Sequence, residues 1–100
     1  MNPELIEQNV HRLIGAMTGA ATTAMVAVGD QLGLYRALAD GGPATHGELA
    51  ARTGTAERYI REWLSQQAAA GFLTYREGDG RYVLPPEAAA SFMAAKRRAI

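Results

Sequence analysis

Three features predict a mostly α-helical fold: a capping box at Thr45 and Glu48, a second apolar-periodic helix across Gly54, and a glycine-containing hairpin between Phe72 and Leu84. Helix, helix, hairpin is a winged helix-turn-helix with a two-stranded wing, here preceded by N-terminal helices. One hundred residues are room for one small domain. The 48% apolar and 20% charged residues lie in the globular range, and twenty alanines favour helix.

Asn2-Pro3-Glu4 starts the first helix with a capping side chain, a proline at the first helical position and an acid in the first turn. Ile6, Val10, Leu13, Ile14 and Met17 then recur at threes and fours, and Glu4, Glu7, Gln8, His11 and Arg12 fall on the other side. Beyond Met17 the polar face disappears: Ala20, Ala21, Ala24, Met25, Val26, Ala27 and Val28 leave only threonines between apolar residues, so this stretch should be covered on more than one side. Gly29 and Gly33 punctuate the next stretch, making Asp30–Leu32 and Leu34–Ala39 helical turns that end at Asp40-Gly41-Gly42-Pro43.

Thr45 opens a short helix from His46 to about Arg52, with Leu49 and Ala50 inward. Gly54 breaks the chain, and Thr55 is expected to cap a longer helix, Ala56–Ala70, stopped by Gly71. Tyr59, Ile60, Trp63, Leu64 and Gln67 form its predicted core stripe, with Glu57, Arg58, Arg61, Glu62, Ser65 and Gln66 toward solvent. Phe72–Arg76 and Arg81–Leu84 are the wing strands around Glu77-Gly78-Asp79-Gly80. Pro85-Pro86 ends the wing, and Glu87 begins an Ala-rich helix expected to fray into Lys96-Arg97-Arg98. Residues 1–40 are therefore assigned to N-terminal dimerisation helices and 41–95 to the winged helix-turn-helix, the two forming one compact unit.

Little in the chain suggests catalysis. Without cysteine there is no thiolate metal site and no thiol nucleophile. His11 and His46 have no neighbouring ligands at metal spacing, and neither Ser65 nor Ser91 sits in a strand-turn-helix elbow. Gly78-Asp79-Gly80 lies inside a hairpin, not between a strand and a helix, so it cannot cradle a phosphate in the usual way. No catalytic, cofactor-binding or metal residue is assigned.

The exposed face of the second helix-turn-helix helix is the natural nucleic-acid reader, through Arg58, Arg61, Ser65 and Gln66. Charge opposes that role. Between Thr45 and Leu84, Arg52, Arg58, Arg61, Arg76 and Arg81 are balanced by Glu48, Glu57, Glu62, Glu77 and Asp79, with Glu57–Arg61 and Arg58–Glu62 spaced to neutralise each other along the helix. The uncharged run Leu13–Gly29 is too small and polar for a membrane span, and Glu4 and Glu7 before Arg12 do not fit a secretory signal, so a cytoplasmic protein is expected. The same run carries more apolar surface than one winged-helix core can use. A homodimer is expected, with Val10, Leu13, Ile14, Met17, Ala20, Ala21, Ala24, Met25 and Val28 at its interface.

Gly33-Leu34-Tyr35 with Leu38, Pro43-Ala44-Thr45, Glu48-Leu49-Ala50, Gly54, the run "ERYIREWL" from Glu57 to Leu64, Gly71 and the run "YVLPPE" from Tyr82 to Glu87 form one further pattern. It resembles the amino-terminal winged-helix domain of S-adenosylmethionine-dependent small-molecule methyltransferases over nearly the whole chain. The resemblance implies a domain that dimerises through its first helices and helps cover the substrate pocket of a catalytic domain, without base contacts. The Gly-rich cofactor loop of that catalytic domain has no counterpart here. The expectation is a non-catalytic domain present without its catalytic partner, meeting S-adenosylmethionine only if a catalytic domain is supplied elsewhere. The alternative is a stand-alone winged-helix transcriptional regulator.

Overall fold

The computed structural model describes residues 1–99. Five helices and a hairpin succeed one another as α1 (Pro3–Gln31), α2 (Leu34–Gly41), α3 (His46–Thr53), α4 (Glu57–Ala69), β1 (Thr74–Arg76), β2 (Arg81–Val83) and α5 (Pro86–Ala99). This is the winged helix-turn-helix the sequence predicts. The antiparallel wing pairs Thr74 with Val83, Tyr75 with Tyr82 and Arg76 with Arg81. Ala44 adds an isolated bridge to Tyr82, exchanging backbone bonds of 3.1 and 2.8 Å, which ties the wing to the entrance of α3.

The helix starts obey their local codes. The Asn2 side chain accepts from the Glu4 amide at 2.9 Å with Pro3 opening the helix. At α3 the capping box is complete: the Thr45 hydroxyl accepts from the Glu48 amide at 3.2 Å, and the Glu48 carboxylate accepts from the Thr45 amide at 2.9 Å. Gly54, at φ +66°, closes α3 in the left-handed conformation that a side chain would resist.

The core joins α2, α3, α4 and the start of the wing. Leu34, Leu38, Leu49, Ile60, Trp63, Leu64 and Leu73 are buried in one cluster with Tyr35, Ala44 and Ala50, and Met25, Val26 and Phe92 pack against it. The 29-residue α1, about 43 Å long at 1.5 Å per residue, contributes only its C-terminal third. All of residues 1–21 are exposed. The projecting helix raises the radius of gyration to 16.0 Å, against about 13 Å for a compact chain of this length.

Several expectations fail locally. Gly29 does not interrupt the helix: α1 runs through it to Gln31, and the turn comes at Gly33, φ +71°. The expected pair of N-terminal helices is thus one continuous helix up to that turn. A Cβ at Gly29 would stand 2.5 Å from Cζ2 of Trp63, so the glycine is there to let α4 approach. Thr55 does not cap α4. The N-cap is Ala56 without a side-chain bond, and the Thr55 hydroxyl instead accepts from the Thr53 hydroxyl at 3.0 Å. Tyr59, expected in the core, is 70% exposed. The strands are shorter than predicted, because Leu73 turns into the core before pairing starts. Lys96, Arg97 and Arg98 do not fray: they lie within α5, where Lys96 Nζ meets Asp30 Oδ1 at 2.9 Å.

Candidate interaction surface

At about 100° per residue, Ile6, Val10, Leu13, Ile14, Met17, Ala20, Ala21, Ala24 and Val28 fall on one face of α1, roughly a third of its circumference. Every one of them is exposed. The face that the C-terminal third turns toward the body is different: Thr22, Met25, Val26 and Gly29 meet α4 and the core. On the projecting part, that side carries Glu4, Glu7, Gln8 and His11. Of the nine residues expected at the dimer interface, eight therefore lie on open surface. Met25 is half-buried against the core, and its carbonyl accepts the Trp63 indole N–H at 2.9 Å.

The α1–α4 junction is held by a polar chain through the interior. The Tyr35 hydroxyl donates to Gln67 Oε1, Gln67 Nε2 donates to Gln66 Oε1 at 2.8 Å, and Gln66 Nε2 donates to the Thr22 hydroxyl at 2.9 Å. Gln67 is completely buried, so these bonds replace the water it has lost. Burial, and secondarily the Asp30 carboxylate, push the Tyr35 phenol up to about 12. Its ring is wedged between Trp63, 5.0 Å away and edge-on, and Phe92 of α5, 4.4 Å away. Tyr35 and Phe92 also line a cleft of about 550 Å³ between the end of α1, α2 and α5, with the Asp30–Lys96 pair at its mouth.

Basic side chains on the wing are consumed internally. Asp79 accepts from Arg76 Nη2 at 2.6 Å and from Arg81 Nη1 at 3.2 Å, which holds its carboxyl well below the usual range. Arg81 also forks onto Glu48 with two bonds of 3.1 Å. That fork, followed by the Thr45 amide, lowers the Glu48 carboxyl to about 2. Arg52 donates to the carbonyls of Gly42, at 2.6 Å, and Pro43, at 3.2 Å.

Among the residues of the nucleic-acid alternative, Arg58, Arg61 and Ser65 are exposed on α4. Gln66 is not free to read bases, because α1 holds it. Arg61 stands 3.9 Å from Glu57, whose Oε1 is also 2.8 Å from His46 Nδ1. The predicted Arg58–Glu62 partnership does not appear among the ion pairs of the described residues. Among those residues, no group of His, Asp or Glu is placed to hold a metal ion.

The Rv2258c-like winged HTH domain family matches residues 20–94, three quarters of the chain. The chain belongs to this family. Among solved structures, this Rv2258c-like domain is similar to the S-adenosylmethionine-dependent methyltransferase SibL in its apo form, with a TM-score of 0.70 and 27% identity over 84% of the chain. It spans only 24% of that protein's length, so it is related to a winged-helix part of a methyltransferase. No curated protein matches it.

By length and composition α1 is also apolar enough to cross a membrane. Its side bonds count against that use. From Thr22 onward the helix is engaged with α4, and the free part carries Glu4, Glu7, His11 and Arg12, leaving too short an uncharged run for a span of about twenty residues.

Proposed function

We propose that this Rv2258c-like domain is a non-catalytic dimerisation module that helps cover the substrate pocket of an S-adenosylmethionine-dependent methyltransferase catalytic domain. Within residues 1–40 the pairing face is that of α1, and residues 41–95 form the winged unit. The observation that carries the reading is the exposed apolar face of α1, from Ile6 to Val28, on a helix whose residues are all exposed up to Ala21. A contiguous apolar patch of this extent is rarely left open on a monomer. Its relation to part of a methyltransferase supplies the catalytic context, and the internally neutralised wing favours a packing role over phosphate binding.

Sedimentation at micromolar concentration tests the dimer. The unmodified chain should show about twice the 10.7 kDa chain mass. Ala20→Arg should yield monomer with unchanged helical circular dichroism, because Ala20 is exposed within its own chain while the dimer would bury an unpaired charge there. A well-folded monomer from the unmodified sequence would refute the reading.

A further inference from the structure

The apolar face of α1 is graded in size. Its N-terminal half carries Ile6, Val10, Leu13, Ile14 and Met17, and its C-terminal half carries Ala20, Ala21 and Ala24 before Val28. Val10, Met17 and Ala24 stand seven apart, as do Ile6, Leu13 and Ala20, and Ile14, Ala21 and Val28: a heptad seam in three rows. We infer that two copies pair α1 antiparallel, crossing near Met17, so that the large half of each helix lies on the small half of the other.

Packing decides the direction. A parallel pair would set Leu13 and Met17 against their own copies at one end and alanine against alanine at the other. Helix axes held about 10 Å apart by the large end would leave the alanine end underfilled. An antiparallel pair crossing at Met17 sets Val10 against Ala24, Leu13 against Ala21 and Ile14 against Ala20, with Met17 on Met17 at the centre and Ile6 against Val28 at each end, so neither end is underfilled and the axes stay evenly spaced. Two-fold symmetry then repeats each contact in reverse.

A second observation lies where the far end of the partner helix would arrive. Beside Val28, the junction of α1 and α4 opens an apolar groove of about 510 Å³, lined by Val28, Leu32, Leu34, Tyr59 and Trp63. In an antiparallel pair the partner's Ile6 reaches the level of Val28, at the mouth of this groove. That contact also accounts for Tyr59. Its place in the apolar stripe of α4 belongs to a buried residue, yet it stands 70% exposed in the single chain, on the groove wall that the second copy would cover.

The inference rests on the dimer reading, and its test separates the two. The chain has no cysteine, so Glu4→Cys in the full chain carries one nitroxide label at an exposed position off the apolar face. Thirteen residues separate it from the crossing point, so antiparallel helices place the two labels about 40 Å apart, and parallel ones within about 20 Å. Double electron–electron resonance on the dimer reads this directly. A distance near 40 Å supports the inference. A short distance in a sedimenting dimer overturns the orientation and leaves the dimer, whereas a monomer overturns both. Tyr59→Ala should weaken the dimer dissociation constant about tenfold if the second copy covers the ring. An unchanged constant overturns the groove contact.

Discussion

Gly29→Ala is the sharpest test of how α1 is fixed to the body. The added methyl would lie 2.5, 2.8 and 2.9 Å from Cζ2, Cε2 and Nε1 of Trp63. Carbon atoms in contact normally sit about 3.5–4.0 Å apart, so ring or helix must yield by about 1 Å. Trp63 has little room: it is 2% exposed, edge-on to Tyr35, and held by its N–H to the Met25 carbonyl. Overpacking costs about 1–3 kcal/mol, and the strained indole bond adds up to about 1 kcal/mol. Replacing glycine by alanine inside a helix returns about 1 kcal/mol. The expected balance is a loss of up to about 3 kcal/mol, which lowers the thermal midpoint by up to roughly 20 °C for a domain of this size. Gly15→Ala and Gly19→Ala are the internal controls. Nothing lies within 4 Å of a Cβ at either site, so each should gain helicity and stability through propensity alone. Thermal and urea unfolding monitored by circular dichroism measure all three. If Gly29→Ala stabilised the chain as the controls do, the close α1–α4 approach would be refuted.

The polar contacts give two further outcomes. Tyr35→Phe leaves the carbonyl of fully buried Gln67 without its donor and should cost about 1–3 kcal/mol in urea unfolding; because burial favours the neutral phenol of Tyr35, stability of the unmodified chain should fall as pH rises from about 10, where the unfolded chain ionises, to about 12, a dependence that Tyr35→Phe should remove. At the other end of the scale, Glu48 is favoured as its carboxylate in the fold, so its contribution is present above the ordinary value of 4.5 and disappears as pH falls toward about 2; Arg81→Met should return its titration toward 4.5 by NMR, and an unmoved titration would refute the fork.

What was legible in the sequence was written in local code. Asn2-Pro3, Thr45 with Glu48, Gly54 and the hairpin glycines act within a few residues of themselves, and the elements they predict are present. Gly29 misleads because the same residue serves a break and a close approach, and only Trp63, thirty-four positions later, distinguishes them. Gln66 looks solvent-facing on its own helix until Thr22 of α1 meets it. Arg81 and Glu48, thirty-three apart, share no local signal at all. Tyr59 has the right periodicity for a core residue, but periodicity gives a face and not what covers it. For the nine residues expected at a dimer interface the sequence indicated the excess of apolar surface, and the structure shows which of them the body leaves open.

A helix-turn-helix shape does not by itself make a reading head, because the same backbone can spend its polar groups on packing. A DNA reader needs donors free to reach bases and cations free to reach phosphates. Here Gln66 is held by α1, Arg81 by Glu48 and Asp79, Arg76 by Asp79, and Arg52 by two backbone carbonyls. Three of these ties also fix the relative position of two elements: Gln66 to Thr22 sets helix on helix, Arg81 to Glu48 sets the wing on the capping box, and Arg52 sets α3 on the turn that enters it. Meanwhile an exposed apolar face runs from Ile6 to Val28 along a helix that projects from the body. Arg58, Arg61 and Ser65 stay exposed on α4, so the proposed dimer and pocket-covering roles rest on the tied wing and on the open apolar face of α1 rather than on an absence of exposed cations.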